Sequence, residues 1–75
     1  MDFVYVIVTV GGMIEELFRF TREEVYQAED CFVDCCSRRL SNFDEYTQAD
    51  IEDCVEDGYE GFGNGNSVQL FWSDN

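Results

Sequence analysis

The sequence predicts an α+β fold: an antiparallel β-sheet carrying one longer and one short helix on one face, in the order ββα-α-β or ββα-αββ. Three observations predict it. An apolar, β-branched run ends in Gly11-Gly12; two Thr-x-x-acid patterns each precede an amphipathic segment; and a glycine-rich stretch leads into a last apolar run. Seventy-five residues hold one core, so residues 1–75 are read as a single domain. A content of 45% hydrophobic and 16% aromatic residues is too high for a disordered acidic tail, and the chain is expected to fold.

Phe3 to Val10 reads as a central strand, and Gly11-Gly12 supplies the positive φ angles of a two-residue hairpin turn. Met13 to Phe20 follows as its partner. Counting back from the turn pairs Val10 with Met13, Val8 with Glu15, Val6 with Leu17 and Val4 with Arg19. That register gathers Phe3, Tyr5, Ile7, Ile14, Phe18 and Phe20 on the face away from the valines, with Phe3, Tyr5, Phe18 and Phe20 as a possible apolar interface.

Thr21 and Glu24 form a capping box, after which Val25, Ala28, Phe32, Cys35, Cys36 and Leu40 fall on one helical stripe. Its outer side carries an acidic stripe of Glu23, Asp30 and Asp34. The apolar stripe is expected to cover Val4, Val6, Val8 and Leu17. Ser41 to Tyr46 reads as a loop. Thr47 and Asp50 then repeat the capping pattern ahead of a short helix that stops at Gly58. Asn64-Gly65 is a second hairpin-turn signal, and Val68 to Trp72 closes the chain as a strand.

Charge sets the class of partner. With 4 Arg, no Lys and 17 acids the formal net charge is −13, beyond the magnitude of ~2–8 that keeps a small domain soluble. Direct binding of nucleic acid or of an anionic membrane is excluded. The balance is also uneven: no base follows Arg39, and nine acids do. Five of them, Asp50, Glu52, Asp53, Glu56 and Asp57, stand within eight residues. On a helix that is one charge per ~2.4 Å of axis, between the ~1.7 Å of duplex DNA and the ~3.4 Å of a single strand. Asp44, Glu45 and Glu60 flank the cluster and complete a candidate partner-binding surface.

In size, charge, lack of Lys and this acid cluster, the chain resembles a class of small acidic, often phage-encoded proteins that imitate nucleic acid, of which anti-CRISPR proteins are the most numerous group. The resemblance implies a stoichiometric inhibitor that occupies the Lys/Arg-lined DNA or RNA site of a host defence or DNA-processing protein, such as a CRISPR effector. The class shares no single fold, so it assigns no residue roles. The alternative expectation is a small structural adaptor or homodimer acting through the aromatic face, for which Phe18→Asp is the discriminating substitution. A halophilic origin also favours acids over Lys, but does not account for four Cys and seven Phe.

Other chemistry is thinly supplied. There is no His and no nucleophile motif, so catalysis is not expected. Cys31, Cys35, Cys36 and Cys54 lack a CxxC pair, and the Asp57 to Asn66 segment lacks the alternating oxygen ligands of a calcium loop; neither a metal nor another cofactor is expected. Reduced thiols are favoured, the alternative being one bridge from Cys35 or Cys36 to Cys54. Asp2 stands where a signal peptide needs a positive charge, which points to the cytoplasm, that of the host cell if the protein is phage-encoded.

Overall fold

In the computed structural model, which describes residues 3–73, four strands form an antiparallel sheet in the order β2-β1-β4-β3. They are β1 (Phe3–Val10), β2 (Met13–Thr21), β3 (Tyr59–Gly61) and β4 (Ser67–Ser73). Between the two hairpins run α1 (Val25–Arg39) and α2 (Gln48–Asp57), both packed on one side of the sheet. The chain is thus α+β, in the order ββααββ. Asp2 and Asp74, counted in the sequence charge, lie outside the described residues.

The expected punctuation is present. Gly11 and Gly12 both have positive φ (60° and 84°), as a type I′ turn requires, and so do Asn64 and Gly65 (56° and 76°). The two turns meet at one end of the sheet, where Gly12 N donates to Gly65 O at 3.0 Å and Gly11 N to Asn66 Oδ1 at 2.9 Å. Thr21 N donates to Glu24 Oε1 at 2.9 Å, opening a 3-10 turn, Arg22–Glu24, ahead of α1. A second 3-10 turn, Phe43–Glu45, interrupts the expected loop.

The core lies between the inner face of the sheet and α1. Val4, Val6, Val8, Val68 and Leu70 face Ala28, Phe32, Cys35 and Cys36, and all nine are buried. A Cα extent of 16 Å along the shortest axis leaves room for two layers and no third.

One register differs from the expectation. Val10 pairs with Met13, but a bulge at Glu15 shifts everything beyond it: Val8 pairs with Glu16, Val6 with Phe18 and Val4 with Phe20. A one-residue slip exchanges the faces of a strand. Phe18 and Phe20 therefore pack against the core, while Leu17, expected beneath α1, is 56% exposed on the opposite face. Arg39, the last residue of α1, holds the bulge, with Nη2 2.9 Å from Glu16 Oε2 and Nη1 3.1 Å from Glu15 Oε2.

The outer face is aromatic, with different members. Phe3, Tyr5 and Ile7 of β1 are joined by Ile14, Leu17, Tyr59 and Phe71. The last strand does not cover this face. It extends the sheet edge to edge and adds Phe71 to the patch, 6.4 Å from the Tyr5 ring.

Candidate functional site

α2 is held differently from α1, and the difference places the acids. None of its residues is buried. Its ends are fixed instead: Thr47 N donates to Asp50 Oδ2 at 3.0 Å and Asp50 N to Thr47 Oγ1 at 3.2 Å. At the other end Gly58 adopts φ 69°, its N–H bonds Cys54 O at 2.9 Å, and its carbonyl accepts from Leu70 N at 2.8 Å. A Cβ on Gly58 would lie 2.8 Å from Leu70 O, so only glycine closes the helix against β4 in this way.

Caps and docking leave Glu52, Asp53, Glu56 and Asp57 exposed. Glu52 with Glu56 and Asp53 with Asp57 are two like-charged i,i+4 pairs, and Glu56 and Asp57 sit at the negative end of the helix dipole. The ion pairs among described residues join Arg38 to Asp34 and Arg39 to Glu15 and Glu16; none reaches α2.

The remaining acids divide. Asp44 and Glu45 are exposed on the turn before α2 and extend its negative surface. Asp50 is tied into the cap. Glu60 faces the helix side of β3, where it accepts hydrogen bonds from Tyr46 Oη and Cys54 Sγ, both at 2.9 Å, so its carboxylate serves an internal contact. Of the secondary stripe, Asp30 is exposed, Glu23 lies in the 3-10 turn before α1, and Asp34 is 3.1 Å from Arg38 Nε.

A feature that sequence reasoning missed lies between the helices. α1 and α2 border an open groove of about 520 Å³, with Glu29 and Asp30 on one wall and Glu52 and Glu56 on the other. Val33, Ile51, Val55, Leu70 and Trp72 supply apolar lining, and the Arg22 guanidinium stands over the Trp72 ring, 5.9 Å from its centre. The helical periodicity of each segment was legible; that Asp30 and Glu52 would share a groove depends on how α1 and α2 pack together.

A comparison with protein-family models, characterised proteins and solved structures finds no match.

The thiols are free at all four positions, so the alternative bridge to Cys54 does not form. Burial pushes Cys36 up to about 12 and Cys31 to about 11. Burial and the hydrogen bond to Glu60 raise Cys54 to about 12, and the bond to Glu60 followed by burial raises Tyr46 to about 12. At neutral pH these three thiols are protonated and weak nucleophiles. Among the described residues no cluster of metal-ligating side chains occurs, and no helix is long and apolar enough to cross a membrane.

Proposed function

We propose that this protein is an acidic inhibitor that binds the Lys/Arg-lined nucleic-acid site of a basic protein by presenting carboxylates in place of phosphates. Anti-CRISPR-type inhibition of a host defence or DNA-processing enzyme is the form this takes. One observation carries the reading: α2 keeps four exposed acids where the helix itself disfavours them. Two like-charged i,i+4 pairs and two acids at the C-terminal pole each oppose helix stability by a few tenths of a kcal/mol. Solubility alone is satisfied by acids placed elsewhere or interleaved with Lys. A row of carboxylates at near-phosphate density is what a cationic groove attracts.

The test is displacement. Once a partner is isolated from host lysate, the protein is expected to release labelled DNA or RNA from it in proportion to added protein, steeply less as salt rises. A folded variant with Glu52→Gln, Asp53→Asn, Glu56→Gln and Asp57→Asn is expected to lose this. If the quadruple variant displaces nucleic acid as well as the parent, α2 is only solvated surface and the reading is wrong.

The exposed aromatic face favours a second reading, an adaptor or homodimer joined through Tyr5, Leu17, Tyr59 and Phe71. Phe18 faces the core, so Phe18→Asp would damage folding; Leu17→Asp is the substitution that separates the two readings. Under the second reading it abolishes association while salt has little effect.

A further inference from the structure

The groove between α1 and α2 narrows the kind of surface the acids fit. A simple polyanion needs only charge, and exposed carboxylates on a convex helix would supply it. Here Glu52 and Glu56 on one wall stand across from Glu29 and Asp30 on the other, with an apolar lining between. Trp72 on that lining is 42% exposed, and Ile51 and Val55 are half-buried, so the groove presents apolar surface to solvent. Its volume of about 520 Å³ falls within the range of ligand clefts, ~300–1,000 Å³.

A phosphate or a bare cation leaves the lining wet. A free apolar peptide leaves the walls without counter-charges. The chemistry that satisfies both is an apolar side chain flanked by Lys or Arg, whose aliphatic stems lie along apolar surface while their charged ends reach the carboxylates.

We infer that the groove between α1 and α2 binds a cationic amphipathic segment of the partner protein, one apolar side chain against Ile51, Val55 and Trp72 with basic side chains paired to both acidic walls. The inference rests on the proposed function and adds a contact that no nucleic acid supplies to that partner. Asp53 and Asp57, on the other row of α2, play no part in it.

Two hexapeptides, RRLLRR and RRSSRR, probe this with equal charge. In titrations of the isotopically labelled full chain followed by NMR, RRLLRR is expected to shift Trp72, Ile51 and Val55 and to bind about tenfold more tightly than RRSSRR, the effect of partly burying one leucine. Glu29→Gln with Asp30→Asn, and separately Glu52→Gln with Glu56→Gln, are each expected to weaken RRLLRR more than Asp53→Asn with Asp57→Asn does. Ile51→Ser is expected to remove the preference for leucine; should it fail to fold, the wall variants decide. Equal affinity for the two peptides, or shifts centred on Tyr5 and Phe71, overturns the groove while leaving a charge-only inhibitor intact. Failure of the whole protein to displace nucleic acid from its basic partner overturns the function on which the groove depends.

Discussion

The two helices lie side by side on one sheet and are stabilised by different means. α1 places Ala28, Phe32, Cys35 and Cys36 in the core, ends in Arg38 and Arg39 at its negative pole, and ties back to Asp34, Glu15 and Glu16. α2 is shorter, buries none of its residues and ends in Glu56 and Asp57. Every electrostatic choice that supports α1 is reversed in the last turn of α2. Packing suffices to explain α1. For α2, local stability and composition disagree, and such disagreement concentrates where a surface is used for something other than folding.

The comparison breaks first at Phe32. Phe32→Ala removes the largest fully buried side chain and is expected to cost ~3–5 kcal/mol, about the whole net stability of a domain this size. Ile51→Ala in α2, a truncation at a half-buried position, is expected to cost less than the ~2–5 kcal/mol of the same change in a core. Chemical denaturation monitored by circular dichroism measures both, and similar losses would erase the distinction between the helices.

Alkali acts next, at the contact of α2 with the rest. Cys36 and Cys54 rise from 9.0 to about 12 on folding, and Tyr46 from 10.0 to about 12. In each case the folded value is the higher, so the stabilisation is complete below the unfolded values. Above about pH 9 the unfolded chain releases protons that the folded one retains, and stability falls until about pH 12. Denaturation midpoints between pH 7 and 11 follow this; a flat profile would mean that neither the burial of Cys36 nor the Tyr46–Glu60–Cys54 contact is maintained in solution.

The caps of α2 come third. Gly58→Ala meets both a positive φ and the Leu70 carbonyl, and is expected to cost more than the ~1 kcal/mol of Thr47→Ala. Both losses should appear as early amide exchange in α2 with α1 still protected.

The smallest effect is the most informative about function. Glu56→Gln with Asp57→Asn is expected to stabilise the protein by about 0.3–1 kcal/mol, seen as a higher melting temperature at low salt, with the gain shrinking as salt is added. A lower melting temperature would mean that these acids support the fold and would remove the argument for their use in binding.

Much of this architecture was legible because its signals are local. Gly11-Gly12, Asn64-Gly65, the Thr47 and Asp50 box and Gly58 each determine a few dihedral angles within a few residues. The stripe from Ala28 to Cys36 needs only helical periodicity. The bulge at Glu15 gave no such signal, because Ile14, Leu17, Phe18 and Phe20 make both faces of β2 apolar and no alternation betrays a slip. That one residue moved Phe18 and Phe20 out of the expected interface. Glu60 was hidden for a related reason: an acid in a glycine-rich run looks solvated until the three residues of β3 turn it towards Tyr46 and Cys54. Strand order and the inter-helix groove depend on contacts distant in sequence, which composition and periodicity do not encode.

The position of β1 has a kinetic consequence. It lies between β2 and β4, and Phe3 is opposite Ser73, so β1 gains its second neighbour only after the roughly sixty residues that separate it from β4 have been made and have left the ribosome. Until then a nascent chain can form no more than the first hairpin and the helices, with one side of its most apolar strand unpaired and open to association with other chains.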